Sequence, residues 1–212
     1  MGAVTDTTKR PRRAPAPDER TLDADRSRRL LLDAALDEFA AKGYAGARVQ
    51  DIADRAGLNK QLINYYFGGK AGLYRELLAL WGTRKGEIND PSLPMEEVAV
   101  GYLHHILDDP RGTRLSAWRG LDAAGGASDP GDDDPCGLAE DLSDVERRRQ
   151  EGELAADLDP AAVRLVLMAM TAAPVTMPHA VRRVFGLDPE SPEFRERYAE
   201  QLRRIVRHLA GP

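Results

Sequence analysis

A single cysteine, Cys136, stands among 212 residues. That excludes an intrachain disulfide framework and a cysteine-based zinc site. Long apolar runs are also missing. The longest, about Val163 to Val175, is interrupted by Arg164, Thr171 and Pro174, so no window supports a membrane span and no membrane partner is expected. No apolar run follows the N-terminal arginines before Arg29, so they do not open a signal peptide, and a cytoplasmic protein is the expectation. Lysine is scarce beside arginine, 5 against 25, which hints at a GC-rich genome. Strand-type alternation and internal repeats are absent. So are a G-x-S-x-G elbow, a phosphate-cradling glycine loop and a nucleophile–base spacing, which argues against an enzyme. Cys136 lies in the acidic loop Gly125 to Gly137, a setting that disfavours a thiolate nucleophile. His104 and His105 are adjacent and point to different helix faces. Neither they nor His179 gain a carboxylate pair at i, i+4 spacing, so no metal and no cofactor is expected.

Charge is divided unevenly. Residues 1–75 carry 14 Lys/Arg and 10 Asp/Glu, a balance of +4, and residues 76–212 carry 16 and 25, a balance of −9. The whole chain is therefore no polyanion binder, but the front alone fits one.

The pattern predicts an all-α protein. Residues 1–25, with "KRPRRAPAPDER", read as a disordered basic tail with almost nothing to bury. From Ser27, Leu31, Leu32, Ala35, Leu36 and Phe39 form the stripe of an amphipathic helix that Gly43 stops. Val49, Ile52, Ala53 and Ala56 form a second, ended by Gly57. Asn59 caps a third from Lys60 to Phe67, and Gly68-Gly69 ends it. A longer helix from Lys70 carries Leu73, Leu77, Leu78 and Trp81. Further helices are expected at Met95–Leu107, Thr113–Leu121, Leu142–Leu154, Pro160–Met177, His179–Phe185 and Pro192–Leu209. The expected division is 1–25 tail, 26–72 helix-turn-helix domain and 73–212 helical domain.

The stretch "GLNKQLINYYFGGK" is the informative one. At about 100° per residue, Leu62, Ile63, Tyr66 and Phe67 share one face of the third helix. Lys60, Gln61, Asn64 and Tyr65 share the other. Gln and Asn bond adenine N6 and N7, Lys reaches guanine or phosphate, and a tyrosine hydroxyl bonds phosphate. Two short helices joined by a tight glycine turn form a helix-turn-helix.

The segment "LLLDAALDEFAAKGYAGARVQDIADRAGLNKQLINYYFGGKAGLYRELLALW" resembles the DNA-binding domain of TetR-type transcriptional regulators, through "LLDAAL…F…GY", "DIA…AG" and "YYF..K..L". The resemblance implies that Lys60, Gln61, Asn64 and Tyr65 meet base edges and backbone. It implies that Arg48 and Gln50 open the second helix beside phosphate and sometimes a base, and that Tyr66 and Lys70 touch phosphate. Ala47 stands where the family often has a capping Thr or Ser. Gln61 and Asn64 also depart from the family, so no relative's operator sequence transfers. The family couples its fourth helix to a ligand domain, and Leu73, Leu77 and Trp81 fit such a connection.

The function expected from this resemblance is a repressor released from double-stranded DNA by a small-molecule ligand. A helical-fold enzyme or carrier, or a ligand-free architectural DNA-binding protein, remains the alternative. Candidate walls of a pocket for an apolar or amphipathic ligand are Tyr102, His105, Ile106, Trp118, Leu121, Met168 and Met170. The helix from Pro160 is apolar almost all round and is expected to be buried on all sides. In the family the two long C-terminal helices pair with their symmetry mates. This places Phe194, Tyr198, Leu202, Ile205 and Leu209, one stripe of the last helix, at a homodimer interface. A homodimer implies a near-palindromic operator.

Overall fold

The computed structural model describes residues 17–88, 90–124 and 142–210. Residues 1–16 of the expected tail, the loop Gly125 to Gly137 with Cys136, and the side chain of Trp81 lie outside the described residues. Among those described there are ten α-helices and no strand. They are α1 (Pro17–Gly46), α2 (Val49–Ala56), α3 (Gln61–Phe67), α4 (Lys70–Ile88) and α5 (Met95–Asp108). They continue as α6 (Arg111–Ala124), α7 (Ser143–Gln150), α8 (Pro160–Thr176), α9 (Pro178–Phe185) and α10 (Pro192–Arg207), ending in a 3-10 turn.

The first helix begins inside the expected tail. Pro17 opens it, and a proline in the first turn gives up an N–H that has no intrahelical partner anyway. The composition of residues 1–25 hid this start. Gly43 breaks the helical path, with φ 68° and ψ 176°, a backbone region that only glycine enters readily.

One apolar core gathers Leu31, Ala35, Phe39, Ile52, Ala53, Ile63, Phe67, Leu73, Tyr74 and Leu77, and also takes Leu115 from α6. Phe39, Tyr44 and Tyr74 form an aromatic cluster with centroids 4.8–6.0 Å apart. Gly72 is fixed by space. A Cβ there would lie 1.7 Å from the Phe67 carbonyl oxygen, so α4 meets the end of α3 only through a glycine.

A second core joins α5, α7, α8 and α10 through Met95, Leu103, Val145, Val163, Ala199, Leu202 and Val206. Arg148, 1 % exposed, ties α7 to the α4–α5 connection by bonds to Asp144, Glu153 and the Leu93 carbonyl, at 2.8, 2.7 and 2.8 Å. Asp159 caps α8 by accepting from the Ala161 and Ala162 amides. Pro174 lies inside α8 and lacks the N–H that would bond the carbonyl of Met170, four residues back. The Tyr198 hydroxyl of α10 donates to that carbonyl at 2.7 Å.

This arrangement corrects the expected dimer stripe. Phe194 and Leu202 are buried within the chain, at 0 % and 1 % exposure. Tyr198 packs on Phe185 and Phe194, and Leu209 lies against the second core. Ile205 falls off the buried row 194, 198, 202 and 206 and is half exposed. The second correction concerns α8, which is not buried on all sides: Leu165 and Val166 are 67 % and 47 % exposed.

Tyr198→Phe should leave the Met170 carbonyl unpaired and lower unfolding free energy by about 1–3 kcal/mol. In Pro174→Ala, where an N–H is restored, the same change should cost clearly less. Denaturant unfolding of the four proteins in this cycle measures the coupling; additive losses would disprove the link between Tyr198 and Pro174.

Candidate nucleic-acid interface

The turn between α2 and α3 is closed by main-chain bonds. Gly57 is left-handed (φ 66°, ψ 29°), and the Leu58 amide returns to Ala53 O at 3.0 Å, a glycine helix stop. Asn59 Oδ1 then accepts from the Gln61 amide at 2.9 Å, satisfying one free donor at the start of α3. Gly68 is left-handed at the far end. Ile63 and Phe67 anchor this seven-residue helix in the first core.

The opposite face is open. Lys60, Gln61, Asn64 and Tyr65 are all exposed, Tyr65 by 79 %. Lys60 stands at the N-cap rather than inside the helix. Tyr66 is half-buried against the first core, with its ring edge-on to Tyr65 at 5.0 Å. Arg48 is exposed and extended at the N-cap of α2, where no side chain caps the helix. Gln50 is exposed and bonded to Asp54. Lys70 opens α4, with its ammonium 4.5 Å from the centroid of the Tyr44 ring; burial pushes its pKa down. The eight residues expected to meet DNA thus lie on the helix-turn-helix and the first residue of α4.

Ion pairs lock α2 to α1. Glu38 has a side chain only 4 % exposed, between Lys42 at 2.6 Å and Arg55 at 3.0 Å. Lys42 also reaches Asp51, and Arg55 reaches Asp37. From α6, Arg111 grips Asp109 with two bonds and reaches Asp33 at 2.8 Å and Asp37 at 2.9 Å on α1. These partners, Asp109 first, hold the Arg111 guanidinium pKa far above its ordinary value. Arg28 donates to Glu76 of α4 from Nε and Nη2 and lies over the Phe67 ring. Sequence reasoning missed Arg111, Asp33 and Asp37; the carboxylates at i, i+4 on the exposed side of α1 were the available signal. Trp118 of α6 donates from its indole N–H to Ala40 O at 3.2 Å, and its ring fills the space beside Gly43.

The expected pocket residues are dispersed. Trp118 and Leu121 line a cleft of about 210 Å³ with Ala40, Arg114 and Val175. A second cleft, about 430 Å³, is lined by Leu93, Met95, Glu153 and Arg207 and contains none of the seven. Tyr102 lies under the Arg164 guanidinium, His105, Ile106 and Met168 are half-buried, and Met170 lies against the second core. No group of His, Cys, Asp or Glu among the described residues could hold a metal ion. No single described helix is long and apolar enough to cross a membrane.

Residues 31–77 match the family described as bacterial regulatory proteins, tetR family. The chain is 26% identical to the HTH-type transcriptional regulator RutR of Escherichia coli K12 over 214 aligned positions, 97% of this chain and 96% of RutR. It is 33% identical to the HTH-type transcriptional repressor SCO4008 of Streptomyces coelicolor over 105, which is 47% of this chain and about half (53%) of that one. In fold it resembles the crystal structure of SCO4942 from Streptomyces coelicolor, with a TM-score of 0.66, 24% identity and coverage of 84% of this chain and 97% of that one.

Glu38 supplies a pH-dependent test. Lys42 foremost, against the opposing effect of burial, and then Arg55 hold its carboxyl below the ordinary value of 4.5. A depressed folded pKa gives stability that is complete above the unfolded value and lost as pH falls through the folded one. Glu38→Gln should therefore be less stable than wild type at pH 7, by about 1–3 kcal/mol. The gap should narrow as pH drops below about 4. Thermal melts of both proteins across this range check it; a gap independent of pH would mean that Glu38 carries no such charge linkage.

Proposed function

We propose, from the premise that this chain is a TetR-type transcriptional regulator, that residues 26–72 read DNA and residues 73–212 dimerise and take up a small ligand. The observation that carries the reading is the division of α3, whose Ile63 and Phe67 are held in the core while Gln61, Asn64 and Tyr65 stand exposed. A helix of seven residues is about 10 Å long and enters a major groove about 12 Å wide. Gln61 and Asn64 offer paired donors and acceptors for base edges. Arg48, Lys60, Tyr65, Tyr66 and Lys70 would supply phosphate contacts that set register. Acting on chromosomal DNA would place the protein in the cytoplasm. Its similarity to SCO4008, named as a repressor, favours repression.

In the proposed homodimer the buried stripe of α10 stays within each chain. The apolar surface of α8 at Leu165 and Val166, with Ile205 of α10, meets its symmetry mate instead. Two identical readers then face two half-sites of a near-palindrome. An apolar or amphipathic ligand would act by binding better to a state in which the two α3 helices no longer fit successive grooves. A shift of α6 would reach α1 through Arg111 and Trp118.

Selection of bound sequences from random duplex DNA should return a near-palindrome. Gln61→Ala should lose about 1–3 kcal/mol on it and relax one position in each half-site. Equal losses on the selected site and on random DNA would reassign Gln61 to the backbone.

Leu165→Glu should give a folded monomer, because a charge would otherwise be buried unpaired in both subunits, at several kcal/mol each. Light scattering of a variant still dimeric at wild-type affinity would move the interface off α8.

A further inference from the structure

Two polar flanks run along α2. On one, Asp51 and Arg55 are bonded to α1 through Lys42, Asp37 and Glu38. On the other, Gln50 and Asp54 are exposed and bonded to each other, Gln50 Nε2 donating to Asp54 Oδ1 at 2.7 Å. Ile52 and Ala53, both fully buried, fix the rotation of the helix, so the second flank stays outward.

The carboxylate decides which way the amide faces. Ionised Asp54 only accepts hydrogen bonds, so Gln50 turns its NH2 toward Asp54 and its Oε1 away. The reverse orientation would set the amide oxygen against the carboxylate. Gln50 is thus held with an acceptor presented outward, and one N–H remains uncommitted.

We infer that Asp54 is a positioning residue for base reading: it holds Gln50 so that the base read there is adenine. The inference rests on the DNA-reading assignment above. Adenine offers N6–H beside the N7 acceptor in the major groove. Gln50 Oε1 accepts from N6, the free N–H donates to N7, and Asp54 keeps the second N–H. Guanine presents two acceptors, O6 and N7. An unrestrained glutamine would turn over to donate to O6; Asp54 opposes that turn. A Gln–Asp pair one turn apart also stabilises a helix slightly. A purely structural role therefore predicts a lower melting temperature and an unchanged base profile.

The test uses the full chain. Sequences bound by wild type, Asp54→Ala, Asp54→Asn and Gln50→Ala are selected from random duplex DNA. Affinities for the recovered site and its single-base variants are then measured at several salt concentrations, with melting temperatures alongside. Wild type should prefer adenine at one position per half-site, and Gln50→Ala should lose that preference. Asp54→Ala should still bind specifically, with the adenine-to-guanine ratio there reduced by about fivefold or more and other positions unchanged. Asp54→Asn can donate as well as accept, so it no longer forbids the turned-over amide and should also weaken the preference, while losing a negative charge should tighten binding to all sequences alike. If Asp54→Ala does not fold, Asp54→Leu replaces it. An unchanged adenine-to-guanine ratio in that variant overturns the positioning role, as does a Gln50→Ala profile identical to wild type. A wild type with no preferred sequence overturns the DNA-reading assignment beneath it instead.

Discussion

Glu38 sits on α1 with its side chain nearly closed to solvent, between Lys42 and Arg55. A carboxylate buried without such partners would cost several kcal/mol. That constraint fixes α2. Arg55 cannot move with α2 unless Glu38 is uncovered, and Asp51 on the same flank is held by Lys42. The α2–α3 turn is rigid through its glycine stop, so α3 takes its direction from α2. The direction of the reading face therefore follows from the charges along α1. The lattice does not stop at the DNA-binding segment. Asp37 is shared between Arg55 of α2 and Arg111 of α6. A network with a buried member resists salt and solvent better than isolated surface pairs do.

The junction between the halves has an apolar part as well. Leu115 of α6 belongs to the core of the DNA-binding segment. Trp118, one turn further on, bonds the Ala40 carbonyl and fills the space that Gly43 leaves. Interfaces packed at this density move between discrete arrangements rather than yielding continuously. A rotation of α6 would therefore have to carry α1 with it or break both contacts. Either outcome changes how α3 is presented, which is what a ligand-controlled DNA binder needs. The fourth helix, expected from sequence as the connection, sets Leu73, Tyr74 and Leu77 into the same core and adds the Arg28–Glu76 pair.

Much of the helix-turn-helix was legible because its determinants are local. Apolar spacing, the glycines at 57, 68 and 69, the Asn59 cap and the two faces of α3 all arise within a few residues. The N-cap of α2 falls at Arg48, one residue after Ala47, where the family resemblance sets the cap. What was not legible depends on partners distant in the chain. The stripe 194, 198 and 202 declared itself apolar, but nothing in its spacing says whether its cover comes from α5 and α9 or from a second chain. Pro174 and Tyr198 explain each other only once α8 and α10 are side by side. The gathering of pocket residues failed for the same reason: residue type marks an apolar wall, and only packing decides which walls face a common space. The early start of α1 was hidden differently, by averaging residues 17–25, about two and a half helical turns, into a proline-rich tail.

These two kinds of order divide the labour of the molecule. Within each chain the cores and the α1 lattice fix the direction of α3 relative to α6. Between chains, in the proposed dimer, the exposed apolar surface of α8 would fix the distance between the two α3 helices. A two-fold helix-turn-helix protein has to bring its readers about 34 Å apart, one turn of duplex, to engage both half-sites. Direction and distance are then set by different contacts, polar and partly hydrated in one case, apolar in the other. A small rotation of α6 can spoil the direction while leaving the apolar dimer contact closed. Release from DNA would then need only the rearrangement of a few hydrogen-bonded charges, a far smaller change than dissociation of the dimer, and the subunits would stay paired and ready to rebind when α6 returns.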